Sequence, residues 1–195
     1  MRSRGFTLVE LLVVMTISAI LIAAAIPSFQ WLIANTRASN GTNDLVATLE
    51  LARSEAIRRG VIVSVCRTLD PNAPPAVLAC SNVAGGAYTA TDWASGWVTF
   101  AKYGPGANDV YEDGADQLLR VQQPFAGTPR VLVEANVANE VVAYNRFGTA
   151  ASVPTPTFTI DYRDPAVAVL TNAARCIGVL PVVGRIRTYR PAGTC

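Results

Sequence analysis

The longest unbroken pattern in the chain is apolar. Between Glu10 and Arg37 lie 26 residues, Leu11 to Thr36, without one charge. As a helix rising ~1.5 Å per residue they measure about 39 Å, more than the ~30 Å hydrocarbon thickness of a bilayer. The run predicts one membrane-spanning helix, with Pro27 inside it removing a backbone hydrogen bond and kinking or loosening the preceding turn. Further on, Leu45, Val46, Leu49, Ala52, Ala56 and Ile57 recur at helical spacing and leave Glu50, Arg53 and Arg58 on other faces. This second stretch reads as an amphipathic helix, supported by an i,i+4 pair of Glu55 with Arg59 and ended by Gly60. Between the two stretches Asn40-Gly41-Thr42 is expected to bend or locally melt the helix.

From Val61 the pattern changes to short β-type runs separated by Pro, Gly and Asn. Val61–Cys66, Gly96–Ala101, Gln117–Gln122, Arg130–Ala135, Val141–Tyr144, Thr157–Asp161, Arg175–Leu180 and Arg185–Tyr189 are the predicted strands. The fold class is therefore α+β: a long N-terminal hydrophobic helix, then an all-β globular head of antiparallel strands. Residues 61–195 number 135, the usual size of one domain.

Composition explains where the apolar excess goes and which chemistry is missing. Of 195 residues 51% are hydrophobic and 15% charged, with a net charge of +2. There is no histidine, which excludes a Ser-His-Asp triad, a Cys-His pair, His-ligated zinc and histidine proton shuttling. Ser54 and Lys102 have no evident catalytic partners, so the chain is expected not to be an enzyme and to need no cofactor. Arg2 and Arg4 precede the apolar run with no acidic residue beside them. The positive-inside rule then leaves Met1 in the cytoplasm and sends everything after Trp31 outward. Ala23-Ala24-Ala25 offers small residues for a cleaved secretory signal, but the run continues through Ile26, Phe29, Trp31, Leu32 and Ile33. That is too long for an h-region of about 7–15 residues. Glu10 also lies in the apolar segment, where a carboxylate costs about 2.5–3.5 kcal/mol and usually marks a function.

Arg4-Gly5-Phe6-Thr7-Leu8-Val9-Glu10-Leu11-Leu12, followed by an uncharged helix containing Pro27, resembles the class III signal of type IV pilins and type II secretion pseudopilins. The resemblance implies that a prepilin peptidase cuts between Gly5 and Phe6 and methylates the new amine of Phe6. Residues 1–5 are then a leader, 6–60 the transmembrane and assembly helix, and 61–195 the head. It further implies a single-pass inner-membrane protein with its head in the periplasm, which joins other pilins or pseudopilins in a pilus or pilus-like filament. In a filament core of low dielectric, the Glu10 carboxylate of one subunit and the Phe6 amine of its neighbour can neutralise each other. That pairing offsets part of a desolvation penalty of several kcal/mol per ion. The alternative for Glu10 is snorkelling to the cytoplasmic headgroups.

The head is similar to the GspH/FimT group of these proteins. The similarity rests on residues Leu51 to Gly60 leading into a strand ending at Cys66, on Gly96-Trp97-Val98-Thr99-Phe100 with Gln117-Leu118-Leu119-Arg120, and on Gly184-Arg185-Ile186-Arg187. Ala101-Lys102-Tyr103 departs from it, standing where a more acidic segment is expected.

Four cysteines, Cys66, Cys80, Cys176 and Cys195, all follow the span, where disulfides persist. Three pairings are possible. Sequence proximity favours Cys66–Cys80 and Cys176–Cys195, each worth about 3 kcal/mol in the chain-entropy model. With no CxxC and no histidine, a zinc site has no support.

Two charged regions remain. Asn108, Asp109, Glu112, Asp113 and Asp116 gather around Gly114, as a calcium loop without EF-hand spacing or as a solvated hairpin loop. From Pro165 to Cys195 there are four arginines, Arg175, Arg185, Arg187 and Arg190, and no acidic residue. In a strand Arg185, Arg187 and Tyr189 share a face at ~6.6–6.8 Å spacing. Arginine forks suit phosphate and tyrosine stacks on unpaired bases. The FimT branch is associated with DNA capture in natural transformation through a Gly-Arg-x-Arg element, so the resemblance implies non-sequence-specific DNA contact by Gly184, Arg185, Arg187, Tyr189 and Arg190. The other readings are arginines paired with Asp161, Asp164 or filament neighbours, and a GspH-like pseudopilin acting in protein export without nucleic acid.

Overall fold

A computed structural model describes residues 7–83, 85–86, 88–89, 91–107, 110–125, 130–135, 141–150, 156–163, 174–180, 182–190 and 195, with backbone alone at 24–28, 30, 31, 130–135 and 161–163. One helix, α1, runs unbroken from Leu8 to Arg59. Eight strands follow: β1 Ile62–Arg67, β2 Trp97–Lys102, β3 Gln117–Gln122, β4 Arg130–Ala135, β5 Val141–Tyr144, β6 Thr157–Arg163, β7 Arg175–Leu180 and β8 Arg185–Tyr189. The predicted strands recur within two residues at each end.

The expected melting at Asn40-Gly41-Thr42 does not occur. The Thr42 hydroxyl donates to the Ala38 carbonyl at 2.7 Å, and Gly41 and Thr42 are buried against the head. Tertiary packing thus overrides the ~1 kcal/mol disadvantage of an interior glycine. Small residues extend the buried stripe below the predicted one, through Ala34 and Ala38 to Leu45, Leu49, Ala52 and Ala56. Ile57 is a correction to that stripe, since it is 53% exposed and lies at the rim beside Gly148. Gly60 ends the helix in the left-handed region at φ 70°, its N–H donating to Ala56 O.

The strands form two antiparallel four-stranded sheets, in the orders β3-β2-β1-β5 and β4-β6-β7-β8. The helix stripe packs with inward residues of both, including Val63, Val65, Trp97, Val142, Phe158, Ile160 and Ile177, in one core. Trp97 Nε1 donates to the Thr48 hydroxyl at 3.1 Å, satisfying the indole where stem meets sheet. Disulfides join Cys66 to Cys80 and Cys176 to Cys195, with Cα separations of 5.5 and 5.7 Å. β8 is an edge strand of the second sheet, beside the stem.

Candidate functional site at the junction of stem and head

β8 pairs with β7 in the register Leu180↔Arg185, Gly178↔Arg187 and Cys176↔Tyr189. Ile186 packs against the core, while Arg185, Arg187 and Tyr189 are exposed. The strand alternation therefore brings these three predicted residues to one outward face. Among the described residues Arg185, Arg187 and Arg190 make no ion pair. The side chain of Asp161, and Asp164 altogether, lie outside the described residues. Arg190 follows directly after β8 and turns to a cleft against α1, shared with Ser39 and Asn43.

Gly184 has a different place from the side chains that follow it. It is buried, with φ at 62°, and a Cβ there would collide with the carbonyl oxygen of Gly148. Arg53 of the stem clips this contact. Its Nε donates to Gly148 O at 3.1 Å and its Nη2 to Val183 O at 2.8 Å. Sequence reasoning placed Arg53 on an idle face of the helix. Its partners are 95 and 130 residues away, so no local pattern could have found them.

The N-terminal signal is described from Thr7 onward. Gly5 and Phe6, the expected processing site, lie outside the described residues, as does the whole leader. Glu10 closes a capping box: its Oε2 accepts from Thr7 N at 2.9 Å and from the Thr7 hydroxyl at 3.0 Å, while Glu10 N donates back to Thr7 Oγ1 at 3.3 Å. The Thr-x-x-Glu spacing of Thr7 and Glu10 was the readable signal for this local role.

The acidic loop after β2 is organised around a cation of the chain itself. Lys102 Nζ donates to Asp116 Oδ2 at 2.8 Å, to Val110 O at 2.9 Å and to Glu112 Oε2 at 3.2 Å. Asp116 Oδ1 accepts from the N–H groups of Tyr103 and Gly104, and Oδ2 from that of Glu112. Burial works against both charges. The Lys102 ammonium and the backbone donors nevertheless hold the Asp116 carboxyl below its ordinary range, and Asp116 with Glu112 holds Lys102 above its own. The departure at Ala101-Lys102-Tyr103 thus has a structural reason, and Lys102 has partners that the sequence did not reveal. The segment closes the antiparallel β2–β3 pair with Asp113, Gly114 and Ala115 exposed, as expected of a solvated hairpin loop, except that Asp116 is buried and the Lys102 ammonium sits among the loop's oxygens. Among the described residues no group of three acidic, Cys or His residues is placed to hold a metal; Asn108 and Asp109 lie outside them.

A family model described as Type II transport protein GspH matches residues 41–181. The chain belongs to the GspH family. A second model, Prokaryotic N-terminal methylation motif, matches residues 1–26. No curated protein matches the chain. Among solved structures it is similar to the type IV minor pilin FimU of Pseudomonas aeruginosa in two crystal forms. For the P21 form identity is 19% over 81% of this chain and 95% of that one, with a TM-score of 0.52; for the P65 form it is 19% over 80% and 98%, with 0.49. The P21 form establishes the shared pilin fold.

As a GspH-family chain with the N-terminal methylation motif, this is a structural subunit of the pilin type rather than an enzyme, one of a membrane-anchored, pilus-associated family whose members assemble with other pilins into filaments. Among the described residues no helix is long and apolar enough to cross a membrane. The uncharged run passes through 24–28, 30 and 31, whose side chains are outside the described ones. On the stem, Leu8 to Ile22 present an exposed apolar surface that includes Leu11, Leu12, Ile17, Ile20 and Leu21.

Proposed function

We propose that this GspH-family chain is a minor type IV pilin that contributes to filament initiation and contacts DNA through β8 during natural transformation. A prepilin peptidase removes residues 1–5 and methylates Phe6. Helix 6–60 anchors the chain once in the inner membrane, and head 61–195 stands in the periplasm until assembly into the pilus. Glu10 then exchanges its capping contact for the amine of a neighbour's Phe6. The observation that carries the DNA reading is one exposed strand face holding Arg185, Arg187 and Tyr189, with no ion pair to the arginines among the described residues. Gly184 contributes the backbone turn that starts this strand, and Arg190 extends the charge past its end.

The test is DNA binding by the full chain in detergent micelles. Three or four phosphate contacts correspond to non-specific binding at ~10⁻⁴–10⁻⁶ M. About three neutralised phosphates give a slope of log K against log salt near −3, reduced in magnitude by about one on replacing Arg185 or Arg187. Equal binding by wild type and the Arg185→Gln/Arg187→Gln double variant sinks the reading. The second reading is a pseudopilin of type II secretion, favoured by the description of the family model itself. It requires filament entry with no DNA binding by the wild type at low salt. In either filament, Glu10→Ala should leave membrane insertion intact and reduce assembly, as read by fractionation and sheared-filament yield.

A further inference from the structure

The β7–β8 end of the second sheet meets the stem across a cleft of about 280 Å³. Ser39, Thr42 and Asn43 line its stem wall; Arg175, Tyr189 and Arg190 line its sheet wall. Among the described residues the lining holds two guanidiniums, a carboxamide and several hydroxyls, and no carboxylate. Arg175 is only 9% exposed and is held in place, its Nη2 donating to Asn35 Oδ1 at 2.6 Å and its Nη1 to Ala174 O at 3.2 Å. Arg190, which is exposed, stands beside it. Burial, and then the charge of Arg190, hold the Arg175 guanidinium below its ordinary range; an anion between the two would offset both effects.

We propose that this cleft is a phosphate-group site, which seats one backbone phosphate of a nucleic-acid strand lying along β8. The chemistry of the walls favours a phosphate oxyanion. An arginine fork binds two of its oxygens at once, and the Ser39, Thr188 and Asn43 groups supply donors from other directions. The surroundings favour a polymer, because Arg187 and Arg185 continue the positive charge away from the cleft at the ~6.6–6.8 Å repeat of a strand face. Tyr189, 47% exposed at the cleft wall, provides a ring for an unpaired base, so the strand is single. The polymer in this proposal rests on the DNA reading above; the phosphate site does not.

The experiment titrates the full chain in micelles with a fluorescent oligothymidylate, and separately with inorganic phosphate followed by amide NMR. Arg190→Gln should weaken oligothymidylate binding about tenfold and lower the salt slope by about one. Because Arg175→Gln alters a buried group and can unfold the junction, Asn43→Asp is the second variant. It places a carboxylate in an exposed position of the wall and should weaken binding about tenfold with an unchanged melting temperature. Inorganic phosphate should shift the amides of Ser39 and Tyr189 in the wild type and not in Asn43→Asp. If both variants bind oligothymidylate like wild type while Arg185→Gln does not, the DNA reading stands and the cleft proposal falls. If wild type binds no oligothymidylate yet phosphate shifts those amides, the nucleic-acid occupant is overturned and the DNA reading with it. A duplex bound more tightly than the single strand removes Tyr189 as the stacking ring and overturns the strand assignment.

Discussion

Two charged regions of the head solve opposite problems. Around Lys102 the cation is buried and every donor it directs inward meets an oxygen of the loop 104–116. Along β8 the cations face outward and, among the described residues, have no carboxylate paired to them. In sequence the first region read either as a calcium loop or as a solvated hairpin loop, and the second as a basic patch. The comparison teaches that local charge identifies a site only when no internal counterion consumes it. Lys102 consumes the acidic loop, whereas the described contacts of β8 leave its arginines to whatever lies outside the head.

The contrast breaks most visibly at Lys102. Lys102→Met removes the ammonium and leaves the buried Asp116 carboxylate with backbone donors alone, so stability should fall by about 3–5 kcal/mol. Thermal unfolding of the two proteins at neutral pH measures it, and a loss under about 1 kcal/mol would mean that the pair is as cheap as a surface one. The pH profile sharpens the same point. The lowered Asp116 pKa gives stability that is present above the unfolded value of about 3.9 and lost as pH falls through the native one. The raised Lys102 pKa gives stability that is present below about 10.4 and lost as pH rises through its native value. Denaturation midpoints of wild type should decline on both flanks, and those of Lys102→Met should be flatter.

Arg53 links the two kinds of region, being a charged side chain that serves structure on behalf of an exposed strand. Replacing it with Gln removes charge-assisted bonds to Gly148 O and Val183 O, worth about 1.5–3 kcal/mol. Hydrogen exchange at residues 182–186 should speed up, while exchange in β1 and β2 should not. Uniform acceleration would show that the clip has no local meaning. The smallest stability effect belongs to β8 itself. Arg185→Gln with Arg187→Gln should leave the melting free energy within about 0.5 kcal/mol. A larger loss would show that these arginines hold the fold together, and would remove the contrast with Lys102.

Much of this molecule was determined by local sequence. The eight strands follow from runs of β-branched and aromatic residues between turn formers, the amphipathic stem from its helical spacing, and the helix end from Gly60. These signals act over a few residues, so they survive without knowledge of the fold. Glu10 was legible in part: its place in an apolar segment stood out, and the capping box with Thr7 was present in the spacing but overshadowed by it. Local reasoning failed where packing outweighed propensity, as at Asn40-Gly41-Thr42, where burial keeps the helix continuous. Only the tertiary structure decided which distant groups meet. Arg53 reaches the carbonyls of Gly148 and Val183, Gly184 rests on Gly148, and Ser39 faces Arg190 across a cleft. Those meetings depend on sheet order and register, and on β8 being the edge strand beside the stem. Periodicity tells a strand which face is buried; it carries no information about which neighbour covers that face.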